Sequence, residues 1–266
     1  MRKIIILLIY FLFFSRFINA QIPFSLSNST IFIPSGKSII TDAENYYISY
    51  ADNNKNSIKI YYKSSTLGFE ELSTYGIGGN FRLLNQFQLY FGLGYFGFDL
   101  MNELNVTTSV SVLIDYLSLG ISGQYNRAII KDFFSEGIFS CDIFGKVFTD
   151  NYSIGFLISN INQAKYSNYE NTIHQRAIFT AGYDINQQIS TDIGTIIVFN
   201  SGSSLLLSAR YQPFEEMSLN IKYLFNNNKM IMGFSLTPLN WITLNIFFNH
   251  HEIFGSDYNI INQIYW

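Results

Sequence analysis

The chain has 266 residues, with 16 basic against 19 acidic side chains and a formal net charge of −3. Charged residues make up only 13% of it and aromatic ones 18%, among them 26 Phe and 19 Tyr. That balance excludes an electrostatic binder of nucleic acid, and it leaves little charge to cover a water-facing surface of this size.

Residues 1–20 read as a secretory signal peptide. Arg2 and Lys3 form a basic start, Ile4 to Phe14 an apolar run, and Ile18-Asn19-Ala20 a cleavage site. The run is shorter than the roughly 20 residues a helical span requires. The mature chain is expected to begin at Gln21, and the leader takes Arg2, Lys3 and Arg16 with it. Residues 21–55 carry Pro23, Pro34 and Gly36 without clean alternation, and read as an N-terminal segment that leads into a barrel or partly plugs it. The barrel itself is assigned to 56–266.

From Ser57 onward the hydrophobic period is 2. Ile58, Ile60 and Tyr62 alternate with Lys59, Tyr61 and Lys63, and Phe87 to Tyr95 alternate with Gln88, Tyr90, Gly92 and Gly94. The clearest unit runs from Glu103 to Asn126. Val106, Thr108, Val110, Val112 and Ile114 share one face, Asp115-Tyr116 reverses the chain, and Leu117, Leu119, Ile121 and Tyr125 return on the matching face. Similar arms follow to Trp266. The last one puts Ile260, Ile264 and Trp266 on its apolar face, with Asn262 as a polar exception. Ile264 and Trp266 are the expected C-terminal signal for the barrel-assembly machinery.

About fourteen such arms, many near ten residues long with a small, polar second face, have the form of membrane-spanning strands. One set of connections is uniformly short (Leu83–Gln86, Asp115–Tyr116, Thr149–Asn151, Asp184–Gln188, Gln212–Glu215, Leu239–Asn240). The other set varies (Ser65–Glu70, Asp99–Asn102, Ala128–Ser135, Asn160–His174, Ser201–Ser203, Asn226–Asn228, His251–Ser256). The expected fold is therefore all-β: a transmembrane antiparallel up-and-down β-barrel in a bacterial outer membrane, with both termini in the periplasm. A soluble β-sandwich would have shorter strands and a more charged outer face.

The second face holds Lys59, Lys63, Asp142, Lys146, Arg176, Asp184, Asp192, Arg210 and Lys222, mixed in sign. They are expected to face a wet lumen and pair across it rather than select a charged solute. His250-His251-Glu252 reads as a polar rim, and Cys141 as a small hydrophobe on the face of Phe139 and Ile143. No nucleophile–base order or phosphate-cradling loop stands out. The expectation is a non-enzymatic protein with no cofactor, no metal and no nucleic-acid partner, surrounded by outer-membrane lipid.

Four segments together resemble the PorV/PorQ-type outer-membrane proteins, relatives of the FadL-like hydrocarbon transporters. They are Gly36 with Thr41-Asp42-Ala43-Glu44-Asn45-Tyr46-Tyr47, Gly137 to Gly145, Ser153 to Asn160, and His251-Glu252-Ile253-Phe254-Gly255-Ser256. Ile48-Ser49-Tyr50-Ala51 stands where that family has Asn-Pro-Ala, which removes the grounds for a FadL-like hatch. The resemblance implies a barrel of about fourteen strands, and a role in type IX protein secretion or surface assembly with secreted proteins or other secretion components as partners. The alternative it carries is a passive channel for small hydrophobic molecules.

Overall fold

The computed structural model describes residues 56–64, 73–83, 86–166, 174–226, 228–252 and 255–266. The expected signal peptide and N-terminal segment lie outside these residues. Fourteen strands run in chain order: β1 (Ser57–Lys63), β2 (Thr74–Leu83), β3 (Phe87–Phe98), β4 (Met101–Ile114), β5 (Leu117–Ile130), β6 (Phe134–Phe148), β7 (Tyr152–Ser159), β8 (Arg176–Asp184), β9 (Ile189–Val198), β10 (Gly202–Phe214), β11 (Met217–Leu224), β12 (Lys229–Leu239), β13 (Ile242–His251) and β14 (Gly255–Tyr265). Each pairs antiparallel with its chain neighbours, and β1 pairs with β14 from Ser57↔Tyr265 to Lys63↔Asn259. The sheet is a closed barrel, so no edge is left for hydrocarbon to strip of hydrogen bonds.

Alternation sorts the wall into two faces. Ile60, Ile77, Phe91, Ile121, Ile154 and Ile193 point outward and are exposed, while Ser57, Asn80, Gln88, Ser122, Ser153 and Asp192 on the same strands point inward and are buried. Among the described strand residues, the formal charges all point inward except Arg127, at the far end of β5 from the short turns. An outer wall apolar at mid-height is what lipid demands, since a charge there costs about 2–4 kcal/mol. Aromatic side chains gather at the short-turn end: Tyr116, Tyr152, Phe214, Trp241 and Trp266 are all more than half exposed. Tyr75, Tyr95, Tyr125 and Tyr258 form a second girdle toward the other end.

Two outer connections are tighter than the sequence suggests. The reversals expected over Asp99–Asn102 and Ala128–Ser135 shrink to the residues between Phe98 and Met101 and between Ile130 and Phe134. Gly97, at φ 97°, supplies the bend at the first; a Cβ there would lie 2.1 Å from the Met101 carbonyl oxygen. Asp132, at φ 65°, supplies it at the second. β4, β5 and β6 consequently run 14, 14 and 15 residues, longer than the 9–11 that a span requires. β7 has only 8 residues and stops opposite Ile143, so the outer half of β6 has no strand beside it on that side.

Candidate functional site

The inner face is mostly Ser, Thr, Asn and Gln, yet on most strands one position breaks that rule. Tyr61, Tyr90, Phe144, Leu157, Ile178, Ile196, Leu206, Leu224, Ile231, Phe247 and Ile261 point inward from eleven different strands, and none is more than 7% exposed. Strand pairing brings them together. Phe144, Leu157, Ile178 and Ile196 occupy one unbroken row of register partners across β6 to β9, and Leu206 faces Leu224 across β10 and β11. From Leu224 through Ile231, Phe247 and Ile261, the row drops by two residues at each junction. Strands tilted to the barrel axis require such steps if a belt is to stay level.

β2, β4 and β5 contribute no apolar side chain to this belt, and at β2 and β5 glycine explains how it continues past them. A Cβ on Gly76 would sit 2.0 Å from the Tyr61 ring, and one on Gly120 would sit 2.2 Å from the Phe144 ring. The neighbours' rings therefore lie flat over these two strands. The expectation of a wet lumen is corrected here: at the belt the inward side chains are apolar and closed off from solvent. Alternation alone did not reveal this, because most strands carry only one such residue in a polar context, as β8 carries Ile178 between Arg176 and Thr180.

The charged side chains sit above and below the belt. Lys59, Asp142, Lys146, Asp192 and Lys222 are buried, while Lys63, Arg176, Asp184 and Arg210 are half-buried on the same inward face. Their arrangement follows the wall. Asp192 and Lys222 flank Ser208 in register on β9, β10 and β11, and the Ser208 hydroxyl donates to Asp192 Oδ2 at 2.6 Å. Asp184 and Arg210 flank Ser190 in the same way, and Arg210 donates to Gln212 Oε1 at 2.9 Å. Asp142 accepts from Gln124 Nε2 at 2.6 Å and from the Asn160 backbone N–H at 2.9 Å. Lys146 lies 5.3 Å from the centre of the Phe148 ring. Opposite charges are thus placed on next-but-one strands of one wall, where long side chains can meet.

The remaining candidates are peripheral. His250 shares a 2.9 Å hydrogen bond with Ser256, and Glu252 accepts from the Asn228 amide, both at the outer rim. Cys141 points outward beside the strap 160–166 that follows β7. Within that strap Asn160 has φ 56°, and its side chain brackets Ala164 with hydrogen bonds of 2.8 and 3.2 Å. Tyr166 enters the mouth near Glu103 and Glu136; burial first, then those two carboxylates, push its phenol above the usual range. At the other end Ile264 faces outward, and the Trp266 backbone N–H donates to the Asn56 carbonyl at 3.2 Å, with the Trp266 ring 6.2 Å from Phe81.

No protein-family profile matches the chain, and no curated protein does. Among solved structures it is similar to variants of the Rhodopseudomonas blastica porin, at 8% identity and a TM-score of 0.46, over 80% of this chain and 99% of that one. It is also similar to the KdgM porin, at 10% identity and a TM-score of 0.47, over 79% of this chain and 99% of that one. The architecture stands on the strand pairing of the chain itself.

Proposed function

We propose that this chain is a non-enzymatic bacterial outer-membrane barrel that gives small apolar molecules a passive path, with the packed inner belt parting to admit them. The observation that carries this reading is the belt: eleven apolar side chains from eleven strands, buried inside a wall whose other inward positions are mostly polar or glycine. A pore for hydrated solutes has a polar lumen throughout, whereas a buried apolar surface with few polar groups suits a hydrophobic ligand. The short turns, the start of β1 and the end of β14 share one side, which supports a periplasmic placement of that side.

The test is flux through the purified protein in liposomes. An apolar fluorescent probe such as N-phenylnaphthylamine should cross faster than in empty vesicles, with little ion conductance. Ile178→Asp should abolish the gain. Large ion currents without probe uptake would overturn the reading, as would uptake indifferent to the belt.

A second reading, a component of protein export that docks secreted proteins or other secretion components, draws on the long β3–β4 and β5–β6 hairpins, which rise past what a span needs. It predicts exported protein recovered with the barrel from solubilised membranes, and loss of that protein when the tip of 131–133 is shortened.

A further inference from the structure

Among the described residues, one outward carboxamide interrupts the wall at membrane depth. Asn262 on β14 is exposed, pointing outward between Ile60 of β1 and Leu244 of β13. It lies four residues from Trp266, which places it roughly 10 Å inside the short-turn girdle for a strand of ordinary rise and tilt. An amide there meets hydrocarbon, and no hydrogen bond within the described residues takes up its side chain. An unsatisfied polar group in that medium is costly.

Beside Asn262 the wall has a groove of about 470 Å³. It runs across the strands between the row Tyr62, Tyr75 and Tyr95 and the row Ile60, Ile77 and Leu93, with Asn262 at one end. Its Tyr62 ring lies 5.1 Å from Tyr75 and 5.8 Å from Tyr258, so neighbouring rings hold that wall of the groove.

We propose that this β14–β1–β2 face is where two copies of the chain meet in the membrane, with the Asn262 amides paired across a two-fold axis. A lipid tail offers the amide neither donor nor acceptor, and headgroups lie a girdle away. A second Asn262 offers both, because an amide complements itself, and a contact of a face with its own copy is the usual form of a symmetric dimer. The groove then receives the partner's outward side chains. This proposal goes beyond the solute reading and does not depend on it.

The test uses the full chain carrying Cys141→Ser, so that introduced thiols stand alone. In native membranes, Asn262→Cys should give a reducible dimer band on oxidation, and Ile154→Cys, exposed on the far wall, should not. Native mass spectrometry in mild detergent should show dimers for the wild type, weakened about threefold to thirtyfold in Asn262→Leu. Absence of a band at position 262, equal bands at both positions, a monomeric wild type, or dimers unchanged in Asn262→Leu would each overturn the proposal.

Discussion

The Asn162 side chain pairs with the backbone around Cys141 as a neighbouring strand would. Its Oδ1 accepts from the Cys141 N–H at 2.9 Å, and its Nδ2 donates to the Phe139 carbonyl at 2.8 Å. The Ile161 N–H donates to the Cys141 carbonyl at 2.8 Å. One side chain and one backbone group thereby extend the ladder where β7 has already ended. Replacing Asn162 by Ala removes both side-chain bonds and should cost about 1–3 kcal/mol. Hydrogen exchange reads the site directly: the Cys141 amide should exchange quickly in Asn162→Ala and stay protected in Asn162→Asp, which keeps the acceptor. Equal protection in all three would show that another group holds the edge.

The belt should behave as one packed unit. Leu206 and Leu224 face each other, both fully buried. Each change to Ala should cost about 2–5 kcal/mol by lost burial and the cavity it leaves. Because the two side chains share that cavity, the double variant should fall short of additivity by about 0.5–3 kcal/mol. Urea unfolding in lipid vesicles measures all three, and strict additivity would mean that the pair does not touch.

Polarity of the outer wall is testable at Ile193, half exposed on β9. Ile193→Arg should destabilise the barrel by about 2–4 kcal/mol, because the charge sits against hydrocarbon. Arg127→Gln, at the outer end of β5, should change stability by less than about 0.5 kcal/mol. The same unfolding assay compares them. A tolerated arginine at position 193 would mean that this face meets water.

The strap should respond to alkali through Tyr166. Burial and the nearby Glu103 and Glu136 raise its phenol in the folded state, above the unfolded value of about 10. The folded chain then holds that proton more tightly than the unfolded one. Its contribution to stability is full below about pH 10 and is lost as pH climbs through the raised folded value. Absorbance of tyrosinate near 295 nm, wild type minus Tyr166→Phe, should show one phenol ionising above about pH 10. A midpoint at or below that pH would place Tyr166 in water.

Legibility in the sequence followed the force at work. Where lipid lies on one side and polar groups on the other, period 2 is enforced, so Val106 to Ile114 and Leu117 to Tyr125 could be read residue by residue. Past the membrane that force ends: Glu103 faces in and Arg127 faces out with no hydrocarbon to sort them, and the hairpin tips are tighter than their sequence suggests. The belt escaped for a different reason. Ile178 and Leu157 become neighbours only through register, and pairing partners far apart in sequence leave no local trace. The strap was hidden too, since Asn160 and Asn162 look like any loop asparagines until they are seen answering Asp142 and Cys141.

The seam between β1 and β14 has a consequence for the order of assembly. Ser57 and Tyr265 meet as register partners, although almost the whole described chain separates them. Every other seam can zip as its hairpin emerges, but this one waits for the final strand to be delivered. Until then the growing sheet keeps two raw margins, each able to recruit a stranger. The interval between release of the chain and that last join is when it most needs an escort.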